Sequence, residues 1–321
     1  MTVMNVRGLI PTAALAGAVA LAATTLSACS DSAATDRAEG KVDVVASFYP
    51  MEFLAREIGK DHVSVTGLTK PGVEPHDLEI TPKQTARLSE ADLVLYLKGL
   101  QPAVDEAVAQ SGAHTAVDAA QLTTLEAHGD GGHDHESGEH DGHDHGNTGK
   151  DPHIWLDPTK YREVARGVES ALTKADPQHA DAYRKNADAL VGRLTSLDKD
   201  FQEGLKDAGT RTFITTHAAF GYLAERYGLD QESISGIDPE SEPSPARMKE
   251  LQSLAREEKV TTVFFETLAS DKTAKSLAAD TGLRTDVLDP LEGITDASQG
   301  ADYFEVMRSN LKNLQKALGA K

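Results

Sequence analysis

Twelve histidines in 321 residues fall into two populations with different chemistry. His128, His133, His135, His140, His143 and His145 crowd into "HGDGGHDHESGEHDGHDHG", residues 128 to 146. From His128 to His145 there are six His, six Asp or Glu, five Gly and one Ser. Such a run buries too little apolar area to offset the entropy of ordering, so a flexible loop is expected. Its imidazoles and carboxylates suit zinc and neighbouring first-row metals, in many interchangeable clusters with no fixed geometry. The expectation is a weak, accessory collector; a solvated acidic linker is the plainer reading.

Three other histidines occupy distinctive places. His76 lies in "PGVEPHDLEITP", a Gly- and Pro-rich turn between a strand and a helix, and His153 lies in "DPHIWLDP", where the His-rich run ends. His217 closes the strand pattern "RTFITTH". In open α/β sheets ligands bind beyond the carboxyl ends of strands, so all three could face one crevice. Each taken singly also fits a hydrogen-bonded turn histidine. Spacing alone does not bring them together. His62, His114 and His179 stand at element ends in polar surroundings and read as structural.

The elements needed to position such residues alternate along the chain. "KVDVVASF", "VSVTGLT", "DLVLYL" and "HTAVDA" have strand character, with helical stretches such as "MEFLAREIG" and "TPKQTARLSEA" between them. Alternation of this kind predicts α/β units around a mainly parallel sheet. A helix is expected from Pro158 to Ala175. Between residues 178 and 207 there is no proline, and Tyr183, Ala187, Leu190, Leu194, Leu197, Phe201 and Leu205 recur every three or four residues. That periodicity predicts one amphipathic helix of about 45 Å, long enough to run along two lobes. Beyond it "RTFITTH", "SISGI", "TTVFFET" and "RTDVLDP" read as strands, with three helices between them and a last helix in "YFEVMRSNLKNLQKALG". The expected organisation is a lobe over 41–177 carrying the His-rich loop 128–146, a linking helix over 178–207, and a second α/β lobe over 208–321.

The first residues suggest where the protein works. One Arg, an alanine-rich apolar run and small residues precede Cys29, the pattern of a secretory signal over 1–28. "LSAC" has the form of a bacterial lipobox, which would leave lipid on Cys29 and make 29–40 a polar tether to the cell membrane. One cysteine allows no disulfide within the chain. A formal net charge of -19 disfavours nucleic acid as a partner and favours cations.

Beyond these separate readings, "GVEPHDLEITP", "DPHIWLDP", "TTHAAFGYLAERYGL", "GIDPESEPSPARMKEL" and "VLDPLEG" follow one another in an order that resembles the zinc-binding lipoproteins of bacterial ABC importers, the ZnuA and TroA type. The likeness covers nearly all of 41–321. It implies two α/β lobes joined by one long rigid helix, with metal in the interlobe cleft. It implies ligands His76 and His153 from the first lobe and His217 with Asp289 from the second. Asp289 could instead form the turn before Pro290, with water or Glu74 completing the shell. A third histidine at 217, where manganese-handling members tend to have a carboxylate, points to Zn2+. Glu266 in "VFFET" is expected to support the site rather than coordinate, while Trp155 and Asp157 pack and orient the His153 turn.

The implied function is capture of Zn2+ outside the cell by a monomer that hands it to an ABC permease. The ATPase must be a separate chain, since no GxxxxGK[ST] loop is present here. An enzyme is not expected. A zinc hydrolase would need an open coordination position and a placed base, and H-E-x-x-H is absent. An adhesin, a zinc buffer or a manganese-transport protein would also fit these residues.

Overall fold

The computed structural model describes residues 40–128 and 149–320. The signal 1–28, Cys29, and His133, His135, His140, His143 and His145 lie outside the described residues.

The first lobe is built on β1 (Val42–Ala46), β2 (Val63–Gly67), β3 (Leu93–Tyr96) and β4 (Ala116–Asp118), all parallel, in the order β2-β1-β3-β4. Helices α1 (Tyr49–Gly59), α2 (Pro82–Glu90) and α3 (Pro102–Ser111) connect them, and α4 (Pro158–Ala175) follows the described end of the lobe. The second lobe repeats the order with β5 (Thr212–Thr215), β6 (Asp230–Ser233), β7 (Thr262–Phe265) and β8 (Arg284–Val287), arranged β6-β5-β7-β8 and again parallel. Its helices are α6 (Gly221–Tyr227), α7 (Pro245–Glu257), α8 (Lys272–Thr281) and α9 (Tyr303–Leu318). Between the lobes runs α5 (Ala180–Leu205).

Local chemistry explains the boundaries. Asp157 starts α4 by accepting from Thr159 N, with Pro158 at the first helical position, where a missing N–H costs nothing. Thr81 and Gln84 cap each other at the head of α2. All seven apolar positions that predicted α5 are buried in it, and each fully buried Leu or Phe contributes about 1.5–3 kcal/mol. Strand β6 departs from expectation. "SISGI" was expected to be the strand, whereas the ladder starts earlier, over Asp230–Ser233, with Ile234 N and Ser235 N continuing it onto Thr215 O and Thr216 O; the polar start of this edge strand buries little and carries no apolar signal.

One apolar core runs through β1, α1, α4, α5 and α9, so it is shared by the two lobes. Phe53 of α1 lies 5.4 Å from Tyr303 of α9, and Tyr161 of α4 lies 4.8 Å from the same ring. Buried hydrogen bonds stitch across this seam. Tyr303 Oη donates to Trp155 O at 2.7 Å, and Trp155 Nε1 donates to Pro290 O at 2.7 Å. The loops that follow the strands open on the cleft above it.

Candidate metal centre

Each lobe contributes loops from the carboxyl ends of its strands. His76 stands in the irregular 68–81 segment after β2, and His153 opens a tight 3-10 turn, Ile154–Leu156, before α4. His217 follows β5, Glu266 follows β7, and Glu292 follows β8. Because β5 and β7 are neighbours, His217 and Glu266 meet where the strand order reverses, the usual crevice of an open α/β sheet.

The three imidazoles converge on one carboxylate oxygen. Glu292 Oε1 is 3.3 Å from His76 Nε2, 3.1 Å from His153 Nε2 and 3.4 Å from His217 Nε2. Four ligands at about 2.0–2.1 Å from zinc in a tetrahedron stand about 3.3 Å apart, so these separations have the length of tetrahedron edges. His153, His217 and Glu292 are buried, and His76 is the least buried of the four, its side chain 9% exposed.

Behind these Nε2 atoms, carboxylates fix the rings. His153 Nδ1 donates to Asp151 Oδ1 at 2.7 Å, and His217 Nδ1 donates to Glu266 Oε1 at 2.8 Å. Thr216 Oγ1 donates to the same Glu266 oxygen at 2.6 Å. With the proton held on Nδ1, the Nε2 lone pair faces the centre, the arrangement that orients metal-bound histidines. Glu266 therefore stands behind His217 rather than in the cluster.

Charge in this pocket calls for a cation. Glu74, Glu266 and Glu292 also approach one another, each offering an oxygen within 4.8 Å of the others. His217 Nε2 and one oxygen each of Glu74, Glu266 and Glu292 are buried without a hydrogen-bond partner among the described residues. Buried charge of this density is costly unless neutralised. Burial opposes ionisation of Glu292, yet the facing histidines hold its carboxyl well below the usual range. Burial likewise opposes charge on His153 and His217, but Asp151 and Glu266 respectively, with Glu292, raise both above the ordinary histidine value. Burial, with Glu292 beside it, pushes Glu74 up to about 9. Metal entering the cluster would displace protons from the imidazoles.

The structure brings His76, His153 and His217 together and leaves Asp289 outside. Both oxygens of Asp289 are engaged elsewhere: Oδ1 accepts from Leu291 N at 2.8 Å and Oδ2 from Thr267 Oγ1 at 3.0 Å. Asn310 clamps its backbone from both sides, donating to Asp289 O and accepting from Asp289 N. Leu291, fully buried, is held at φ 60°, a conformation branched side chains rarely adopt. Together with the Trp155 bond to Pro290 O, these contacts define a rigid turn whose product is the direction of Glu292. Glu292 was missed in "VLDPLEG" although Asp-Pro there announces a turn, with the acid three residues later free to point into the cleft.

The remaining expectations are also located. Trp155 packs beside His153, ring centroids 5.2 Å apart, and Asp157 caps α4. His62 and His179 stack on each other at 3.9 Å, away from the cluster. His128, the first histidine of the acidic run, has a half-buried ring, 2.9 Å from Asp151 Oδ2 and 2.9 Å from Glu225 Oε2.

Among the described residues no helix is long and apolar enough to cross a membrane. Comparison with known proteins places this architecture. The chain is 36% identical over 307 residues to the zinc-binding lipoprotein AdcA of Streptococcus pneumoniae, covering 92% of this chain but 59% of that protein. It therefore spans little more than half the length of the first such relatives. It is 35% identical to the high-affinity zinc uptake system protein ZnuA of Bacillus subtilis, covering 91% of this chain and 93% of that one. The crystal structure of the Zn(II)-bound ZnuA-like domain of Streptococcus pneumoniae AdcA superposes with a TM-score of 0.72 at 33% identity, covering 87% of this chain and 99% of that domain. The profile of the family described as "ZnuA: Zinc-uptake complex component A periplasmic" matches residues 44–317, and the chain belongs to that family.

Proposed function

We propose that this protein captures Zn2+ outside the cytoplasm with high affinity and delivers it to an ABC permease driven by a separate ATPase. The observation that carries the reading is the convergence of three Nε2 atoms on Glu292 Oε1 at 3.1–3.4 Å. His76, His153, His217 and Glu292 are the ligands, and Zn2+ is cargo. Three neutral nitrogens with one carboxylate suit zinc better than the oxygen-rich shells that manganese favours. Four protein donors complete a tetrahedron and leave no open position, the opposite of what zinc hydrolysis requires. This supports a binding protein rather than an enzyme.

The working form is a monomer anchored to the cell membrane through lipid on Cys29, with the histidines of 128–146 as an accessory collector. Cys29→Ala should then release the protein from the membrane fraction, read by fractionation and by the mass of the mature N-terminus. For the function itself, the test is growth of a deletion strain in medium titrated with zinc, manganese and iron in parallel. A requirement for more external zinc alone, restored by the wild-type gene and not by His217→Ala, is the expected result. Restoration by manganese or iron, or no phenotype under zinc limitation, would overturn the reading.

A further inference from the structure

Asp151 uses only one of its oxygens on the metal cluster. Oδ1 holds His153, while Oδ2 accepts from His128 Nδ1 at 2.9 Å. The same buried carboxylate thus fixes two imidazoles by their Nδ1 atoms and leaves each Nε2 pointing away. His153 Nε2 faces Glu292, and His128 Nε2 faces Glu225 Oε2 at 2.9 Å. Glu126 completes the second group: one ligand atom each from Glu126, His128 and Glu225 lies within 4.8 Å of the others.

This second seat is built rather than incidental. The His128 ring packs edge-on against Tyr222, centroids 4.2 Å apart. Tyr222 Oη accepts from Glu126 N at 2.8 Å and donates to Asp151 O at 2.8 Å, so one phenol ties the chain on both sides of the 129–148 segment. At the start of α6, a Cβ on Gly221 would lie 2.4 Å from His128 Cβ and Cγ, so only glycine leaves room for the ring as placed. Glu225, one turn further along α6, is 57% exposed, and cavities of about 470 and 350 Å3 flank it. Lys160 Nζ occupies Glu126 Oε1 at 2.8 Å, leaving that carboxylate's other oxygen as the one to face a metal.

We propose that Glu126, His128 and Glu225 form a second divalent-cation site, bridging the first lobe and α6, which takes Zn2+ at the point where the His-rich segment leaves the fold. One imidazole and two carboxylates from the protein leave room for water, so this ion is held less tightly than the ion at the four-donor cluster and exchanges with solvent. Asp151 couples the two sites by orienting one imidazole of each. The site rests on the zinc reading above only for the identity of the ion.

The test uses the full chain and Zn2+ alone, in competition titrations against a micromolar chelator, with zinc-edge anomalous diffraction to place the ions. Wild type should show a first tight equivalent at His76, His153, His217 and Glu292 and a second, weaker one at His128 Nε2. The Glu126→Gln, Glu225→Gln double variant should lose the second and keep the first, and His217→Ala should lose the first and keep the second. Gly221→Ala should weaken the second by displacing the ring; should that variant fail to fold, the double variant carries the test alone. No anomalous peak at His128, or a peak there that the double variant leaves unchanged, overturns the proposal. A first equivalent that survives His217→Ala would instead overturn the reading of the main cluster and leave the second site standing.

Discussion

Asp151 grips His153 twice, its Oδ1 lying 2.9 Å from the backbone nitrogen and 2.7 Å from Nδ1 of that one residue. Backbone and ring are thereby fixed by a single buried carboxylate oxygen. Loss of such a partner usually lowers metal affinity about 10–100-fold. We expect Asp151→Asn to weaken the tight Zn2+ equivalent by that factor in chelator competition, with the circular dichroism spectrum unchanged. Wild-type affinity in a folded variant would show that His153 orients itself.

The fourth donor can be separated from the turn that presents it. Glu292→Gln removes the only carboxylate in the four-donor cluster and should abolish the tight equivalent. Asp289→Asn leaves all four donors in place and keeps an acceptor for Leu291 N but replaces the oxygen that accepts from Thr267 Oγ1, so its main effect should be on stability, on the order of 1 kcal/mol in urea unfolding. The opposite pattern, with Asp289→Asn abolishing binding and Glu292→Gln sparing it, would return the ligand role to Asp289.

Tyr303 tests the seam between the lobes. Tyr303→Phe keeps the ring against Phe53 and Tyr161 but deletes the bond to the buried Trp155 carbonyl. An unsatisfied buried acceptor costs about 1–3 kcal/mol. The zinc-free variant should unfold at correspondingly lower urea, with the tight affinity changed far less than by Asp151→Asn. A variant as stable as wild type would mean that water replaces the hydroxyl.

Asp157 gives a pH signature away from the metal. Burial raises its pKa, against the hydrogen bonds from Thr159 that lower it. A carboxyl whose folded pKa lies above the unfolded value of about 3.9 binds more protons when folded, so its contribution to stability grows as pH falls through that interval. Asp157→Asn keeps an acceptor for Thr159 N without the buried charge. It should match or exceed wild type near neutral pH and lose that margin as pH approaches 4, whereas Asp157→Ala should cost about 1 kcal/mol through loss of the cap. Denaturation of the three proteins across pH 4 to 7 decides it, and a margin for Asn that widens toward pH 4 would contradict the shift.

Periodicity made the frame legible and left the centre half-legible. Seven apolar residues from Tyr183 to Leu205 predicted α5 because an amphipathic helix repeats its buried face every three or four positions. Strand β6, reading Asp-Gln-Glu-Ser, begins ahead of the expected "SISGI" because an edge strand needs no apolar alternation to pair. Helix α3 went unnoticed, its few buried residues being Val104 and Ala107. The three separate histidines stood out as rare residues at strand and turn ends, but "VLDPLEG" offers two acids. Only the hydrogen bonds around Asp289 show which of them is taken up by the turn. His128 looked like the start of a uniform run because composition cannot register Tyr222, Gly221 and Glu225, which lie more than ninety residues away.

The aromatic seam has a mechanical consequence. With Phe53, Tyr161, Trp155 and Tyr303 interlocked beneath the cleft, swinging the lobes apart would expose a shared core, which costs far more than repositioning one loop. The segment 68–81, by contrast, lacks regular structure and carries His76, the least buried member of the four-residue cluster. Under the proposed function, withdrawing His76 alone would turn a four-sided cage into a three-sided one, and the seam beneath would serve as a fixed anvil.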